Sequence, residues 1–349
     1  MAIYVAYIFS VYYFGARLLR EREFPRVGKR IYTILMGTAL FLISALRAET
    51  VGTDIPGYIS KFKVIPDYDI SSIMTIDKDS GFYVFIKLLS FINTSPRFHL
   101  VVIAAIFAIS VSVFIYRYSE EPAFSFFALL PLTFFYFSMT GLRQTLAFCV
   151  LLFAYPFIIG RKPLHFFALV IFAAAFHKTA LVFSLAYLAS YIKWNWKTVI
   201  VVTVGFIAIY LARYYVVLLL LFALPERGYG VTDAGGGFTT LIMYLGIFLF
   251  TLIFGQGIKN DSEYYPMYFI LVLGMVFQMM TPMLNEMFRL ALYFNVYVIV
   301  FLPTVIRRIK DRNLGLDCYM GAVCCLGVLY FVFTYADAGV YPYHFFWQP

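Results

Sequence analysis

Apolar stretches about as long as a bilayer core is thick recur along this chain from Tyr4 to Thr334, with only one long polar interval, Arg47 to Ser80. A helix needs about 20 apolar residues to cross the roughly 30 Å hydrocarbon layer. Only helices or closed barrels satisfy every backbone N–H and C=O inside it. Repeated stretches of this kind require lipid as the solvent, and the charged fraction agrees: 13% of residues, about half that of a soluble globular protein. The expected fold is all-α, a polytopic helical bundle forming one transmembrane domain over residues 1–349.

The hydropathy pattern predicts twelve spans: Ala2 to Leu19, Ile31 to Leu46, Phe98 to Tyr116, Phe124 to Thr140, Leu142 to Ile159, Leu164 to Phe176, Thr179 to Ile192, Thr198 to Leu224, Phe238 to Phe254, Pro266 to Met283, Phe288 to Ile306 and Cys318 to Tyr335. Leu164 to Phe176 and Thr179 to Ile192 are short for full spans, and a re-entrant pair is the alternative. The first stretch has its basic residues after it, the reverse of a cleavable signal peptide, so it reads as a retained helix. The four cysteines lie inside apolar stretches, where a thiol behaves as a small hydrophobe. None has metal-site spacing.

Net charge is +9, and in a membrane chain loop basicity is first a topology signal. With the loop carrying Arg17, Arg20, Arg22, Arg26, Lys29 and Arg30 inside, Arg117, Arg161, Lys162, Lys193, Lys197, Lys259, Arg307, Arg308, Lys310 and Arg312 also fall inside. Both termini are then extracytoplasmic. The outer side receives the main loop, residues 47–97, with a short interfacial helix at 81–92. It also receives a second loop at 225–237 with its Gly235 to Gly237 run, and the tail YPYHFFWQP.

Five cations remain at or below the outer mouth of predicted helices: Arg47, Arg143, Lys178, Arg213 and Arg289. A charge within the membrane costs several kcal/mol and normally faces a wet cavity or a counter-ion, unless it snorkels to the headgroups. The planar guanidinium fork suits phosphate oxygens. Helices starting at Leu142, Thr179, Phe238 and Phe288 also direct their N-termini outward, which favours an anion there. These features point to a pyrophosphate site. Asp54 and Glu286 lie a few residues from mouth arginines and are read as orienting groups or bases. His177, beside Lys178, is the first choice for general base, with Asp54 second. His165 and His344 are given no role. The Asp-x-Asp strings Asp67 to Asp69 and Asp77 to Asp79 are a weak metal signal, and no metal or other cofactor is assigned. No Walker loop, GxGxxG, HExxH or GxSxG occurs at a suitable junction, which leaves nucleotide-driven pumping without support. Nucleic acid is not an expected partner.

RAETVGTDIPGYISKF (Arg47 to Phe62), DSGFYVFIKLLSF (Asp79 to Phe91), GLRQTLAF (Gly141 to Phe148) and AAFHKTALV (Ala174 to Val182) occur in this order. In that order the chain resembles the EpsG/Wzy-type polysaccharide polymerases of bacterial membranes. The likeness covers roughly the first 190 residues, with Arg289 and the YPYHFFW ending beyond them. One departure is visible: the family commonly has Glu-Pro-Gly where this chain has Asp79, Ser80 and Gly81, which keeps the carboxylate and drops a rigid turn. The resemblance implies a GT-C-like glycosyltransferase architecture in the bacterial cytoplasmic (inner) membrane. It implies transfer of undecaprenyl-pyrophosphate-linked oligosaccharide onto a second such unit on the outer face, without metal. His177, Arg143, Arg289 and Asp54 would be catalytic. Arg47, Arg143, Lys178, Arg213, Arg289, Tyr58, Asp79 and Glu286 would hold the substrate pyrophosphate. Expected partners are the lipid-linked donor and acceptor and membrane lipid, with a chain-length regulator and a flippase as protein partners. Two other readings stay open: an O-antigen-ligase-like transferase with a different acceptor, and a lipid-linked oligosaccharide flippase. The flippase reading is disfavoured because the two halves show no repeat and the unexplained charges sit at one mouth.

Overall fold

The computed structural model describes residues 1–19, 25–76, 79–223, 237–333 and 339–348. Arg20, Arg22, Asp77, Lys78, Glu226, Arg227, Asp233 and most of the 225–237 loop lie outside the described residues. The described chain is helical throughout, with no strand beyond one isolated antiparallel bridge between Arg47 and Phe345. The elements are α1 (Ala2–Leu18), α2 (Pro25–Ala45), α3 (Ile55–Val64), α4 (Ile70–Ile76), α5 (Ser80–Ser90), α6 (Pro96–Tyr118), α7 (Pro122–Ala128), α8 (Phe134–Ser138), α9 (Leu142–Leu152), α10 (Tyr155–Ile159) and α11 (Pro163–Phe176). A 3₁₀ segment (Lys178–Ser190) follows, then α12 (Trp196–Ala223), α13 (Phe238–Phe254), α14 (Tyr265–Gln278), α15 (Met287–Asn295), α16 (Val298–Arg307) and α17 (Arg312–Phe333). Among the described residues six helices are long and apolar enough to cross a membrane, and α15 with α16 makes a seventh if that pair, bent by 41°, is one span. The protein is a polytopic all-α membrane protein.

Among the described residues all twelve predicted apolar stretches are largely helical, but several are broken. Phe124 to Thr140 divides into α7 and α8 around Pro131, which has no N–H to continue the ladder, and Thr133 beyond it is left-handed at φ 66°. Leu142 to Ile159 divides at Phe153 and Ala154, ahead of Pro156. The predicted Thr179 to Ile192 span is wound as a 3₁₀ helix of 13 residues. At about 2.0 Å rise per residue such a segment reaches roughly 26 Å, where an α-helix of equal length would reach about 20 Å. The tighter winding offsets the short sequence.

Two compact units emerge. The first comprises Met1–Ala154, Ala168–Leu181 and Leu316–Pro349; the second comprises Tyr155–Phe167 and Val182–Gly315. In the first, α2 packs along α6, and α6 along α9. The loop of residues 47–97 is a small folded body. Ile55, Tyr58, Ile59 and Phe62 recur at helical spacing on α3 and meet Phe82, Tyr83 and Ile86 of α5, Leu100 and Ile103 of α6, and Leu142 and Leu146 of α9. Full burial of side chains such as Phe62 and Phe82 contributes about 1.5–3 kcal/mol each, enough to hold so short a set of helices against the bundle.

The tail is laid onto the start of that loop. The Ala48 N–H donates to the His344 carbonyl (2.8 Å), Gly52 N–H to Gly339 (2.9 Å) and Phe346 N–H to Leu46 (3.0 Å). The Arg97 guanidinium stacks on Phe346, 3.7 Å from the ring centre, and donates to the Arg47 carbonyl at 2.8 Å and to that of Ala45. In the second unit Tyr268 is the hub, edge-on to Phe301 at 4.8 Å and tilted against Trp194 at 5.1 Å, with its hydroxyl donating to the Thr251 carbonyl. Arg308 pairs with Asp261 at 2.7 Å, and Arg161 donates to the Ser190 carbonyl at 3.1 Å.

Candidate active site

Asp79 is the centre of a polar cluster in the first unit. Its carboxylate accepts three hydrogen bonds or charged contacts: from His177 Nδ1 (2.8 Å, Oδ2), from the Arg143 guanidinium (3.2 Å, Oδ2) and from the Lys178 backbone N–H (2.9 Å, Oδ1). Three elements deliver these groups. Asp79 stands immediately before α5, His177 and Lys178 join α11 to the 3₁₀ segment, and Arg143 lies in the first turn of α9.

Their approach depends on a missing side chain. A Cβ at Gly81 would lie 2.5 Å from the Ala175 carbonyl oxygen and 2.9 Å from the Ala175 Cβ, distances that no real contact tolerates. Only glycine lets the start of α5 rest on the backbone at the end of α11. The same closeness carries the Asp79 carboxylate to the N-terminus of the 3₁₀ segment, where it satisfies an orphan N–H and complements the helix dipole. The negative charge favoured at that terminus is therefore supplied by the protein itself.

The cluster is half sealed. The Asp79 side chain is 9% exposed, against 25% for Arg143 and 16% for His177. Burial alone would raise the Asp79 carboxyl. The His177 hydrogen bond and charge, the Lys178 N–H and the Arg143 charge outweigh it and hold the group below the ordinary carboxylate range. Asp79 is thus ionised at neutral pH, and an ionised carboxylate can only accept. The shared bond therefore takes its proton from His177 Nδ1, and Nε2 is the ring nitrogen turned away from Asp79.

Tyr58 forms the floor. Its buried hydroxyl accepts from the Arg143 backbone N–H at 3.5 Å and lies within electrostatic reach of Arg143 and Asp54. Burial pushes the Tyr58 phenol up, against the opposing pull of Arg143. Asp54 is anchored by its own N–H, which donates to Thr140 Oγ1 at 3.1 Å, and Thr53 Oγ1 shares a 2.7 Å hydrogen bond with the same hydroxyl.

Of the residues singled out in the sequence, Asp79, His177, Arg143, Lys178 and Tyr58 come together, with Asp54 beside Tyr58. Arg47 has other neighbours. It is fully buried, donates to Ser44 Oγ and to the Ser44 carbonyl (2.9 Å), and faces Tyr4 and Tyr343. Arg213, Glu286 and Arg289 belong to the second unit. Arg213 donates to the Tyr210 carbonyl (2.6 Å) and lies over the Tyr210 ring, and Arg289 sits 5.9 Å from the Phe288 ring centre. Glu286 is the residue before α15. Sequence reasoning missed the bond between Asp79 and His177, which lie 98 positions apart. The available signal was Gly81, two positions after a carboxylate at a helix start, opposite the AAA run of residues 173–175.

A model of the EpsG family matches residues 30–345 of the chain. No curated protein and no solved structure matches it.

Proposed function

The chain belongs to the EpsG family, and on that premise we propose that it is a polysaccharide polymerase, a glycosyltransferase that joins polyprenyl-pyrophosphate-linked oligosaccharide units on the outer face of the cytoplasmic membrane. The observation carrying this reading is the oriented pair of Asp79 and His177 with the Arg143 guanidinium on the same carboxylate oxygen. Such a constellation removes a proton at one point and stabilises negative charge next to it.

In the proposed step an acceptor sugar hydroxyl attacks the anomeric carbon of the donor. A new C–O glycosidic bond forms as the bond from that carbon to the pyrophosphate oxygen breaks, and the polyprenyl pyrophosphate leaves with the electron pair. The hydroxyl proton passes to His177 Nε2. Asp79 fixes the imidazole in the tautomer that can receive it and stabilises the imidazolium formed, a role that a buried carboxylate fills in other hydrolases and transferases. A positioned base of this kind contributes about 10²–10⁴-fold. Arg143 and the exposed Lys178 side chain, with the phenol of Tyr58, face the charge developing on the pyrophosphate. Fixed donors aimed at developing charge contribute about 10²–10³-fold each. The energy for transfer resides in the donor's own phosphate ester, so no nucleotide is needed at that face.

The test is direct. Purified protein in vesicles, supplied with a lipid-linked repeat unit, is expected to produce a ladder of glycans and to release polyprenyl pyrophosphate. Product limited to single transfers onto a non-repeat acceptor would make it a ligase, and no transfer at all would end the reading.

A further inference from the structure

Away from the Asp79 cluster, a groove of about 640 Å³ runs between α2 and α6, lined by Arg30, Thr33, Thr38, Phe41, Ile109 and Tyr116 among others. Its size falls within the roughly 300–1,000 Å³ of ordinary ligand pockets. The two helices touch along its floor: a Cβ at Gly37 would lie 2.2 Å from Ser112 Oγ, and that hydroxyl is buried without a hydrogen-bond partner. Apart from Arg30, Thr33 and Thr38, the walls above are aliphatic and aromatic.

Length and charge identify the occupant. Arg30 and Phe41 stand eleven positions apart on α2, about 16 Å at 1.5 Å per residue, close to half of the roughly 30 Å bilayer core. The groove therefore spans one leaflet, which suits an acyl chain that ends at the midplane. Its Arg30 end is the charged end. Arg26, Lys29 and Arg30 lie in the first turns of α2, and Arg117 lies in the last turn of α6. The Lys29 ammonium donates to the Ser119 carbonyl (2.7 Å) and sits 5.5 Å from the Tyr116 ring centre, which ties the groove's rim to this basic turn. Glu120 and Glu121 are the acidic residues in the same connection, fewer than the cations around them. Arg30 itself is exposed.

We propose that this groove binds one anionic phospholipid, with an acyl chain between α2 and α6 and the headgroup phosphate on Arg30. The site is independent of the glycosyl-transfer reading. Bound there, the lipid fills the space beside the α2–α6 contact and stabilises that helix pair.

Native mass spectrometry of the purified full chain, titrated with phosphatidylglycerol or with phosphatidylcholine of the same acyl composition, tests it. One phosphatidylglycerol per chain should be retained about fivefold more than phosphatidylcholine, the effect of a single basic residue at an anionic headgroup. Arg30→Gln should abolish that preference. Thr38→Trp, which fills the groove from an exposed position, should lower retention of both lipids. Equal retention of the two lipids, a preference unchanged by Arg30→Gln, or retention indifferent to Thr38→Trp would each overturn the proposal.

Discussion

Replacing Gly81 with alanine adds a single methyl group, and the structure sets what it should do. The new Cβ would start 2.5 Å from the Ala175 carbonyl oxygen and 2.8 Å from its carbon, and reaching ordinary contact at 3.4 Å requires α5 to retreat by about 0.9 Å. The obstacle is backbone, which cannot rotate aside. Carried along with α5, the Asp79 carboxylate would sit roughly 3.7 Å from His177 Nδ1 and from the Lys178 N–H, beyond hydrogen-bonding reach. Two charge-assisted bonds are lost and the imidazole is no longer oriented. A misplacement of about 1 Å in a catalytic group can cost on the order of 10²-fold in rate, and overpacking adds about 1–3 kcal/mol of destabilisation. The assay is glycan polymerisation by purified protein at saturating lipid-linked substrate, with the melting temperature measured in the same detergent. Gly81→Ala should lower the rate about a hundredfold and should cost little further when combined with Asp79→Asn, because both act on one carboxylate. A Gly81→Ala enzyme within twofold of the unmodified rate would refute the claim that close packing of α5 on α11 builds the site.

Three other outcomes are expected. Arg143→Ala should lower polymerisation on the order of 10²–10³-fold, and Arg143→Lys should recover part of it, since a point charge replaces a fork; glycan ladders from the two variants compared side by side check this. Because the Asp79 carboxyl is held below its ordinary value of 3.8, the stability from its ionised form is complete above that pH and disappears only as pH falls through the lower, folded-state value. The gap in melting temperature between the unmodified protein and Asp79→Asn should therefore still be present at about pH 5 and close as pH falls below about 4. Deleting the chain from Gly339 onward removes the backbone partners of Leu46, Ala48 and Gly52. At about 1 kcal/mol per hydrogen bond the truncated protein should melt several degrees lower, as read by thermal denaturation in detergent.

Much of the bundle was legible because lipid leaves so few options for a backbone. Phe238 to Phe254 is predicted to the residue, and the other long apolar runs overlap their helices with ends up to about six positions off. The breaks were harder to see. Pro131 and Pro156 sit in stretches whose hydropathy never falters, and hydropathy does not register a missing N–H. The 3₁₀ winding of Lys178–Ser190 has no compositional mark at all. The main outer loop reads as polar from Arg47 to Ser80, yet Ile55, Tyr58, Ile59 and Phe62 form an apolar stripe one helix turn apart, a short-range signal that a search for 20-residue runs passes over. The members of the Asp79 cluster stood out one by one in the sequence, since charge near apolar segments is costly and so conspicuous. Their geometry did not. Asp79 meets His177 because Gly81 allows two helix ends to touch, and that is a property of packing between segments distant in sequence. Arg47 shows the converse: its position near a predicted mouth suggested pyrophosphate, but its guanidinium is enclosed by Ser44, Tyr4 and Tyr343.

In the proposed step Asp79 and His177 work as one unit on the acceptor hydroxyl. The most direct measurement is the rate of polyprenyl pyrophosphate release from a lipid-linked repeat by purified Asp79→Asn, His177→Ala and the double variant, all at saturating substrate. The prediction is that His177→Ala loses on the order of 10²–10⁴-fold, that Asp79→Asn is also severely impaired, and that the double variant is no slower than the worse of the two. Losses that multiply in the double variant, or a His177→Ala enzyme that releases pyrophosphate at the unmodified rate, would contradict it.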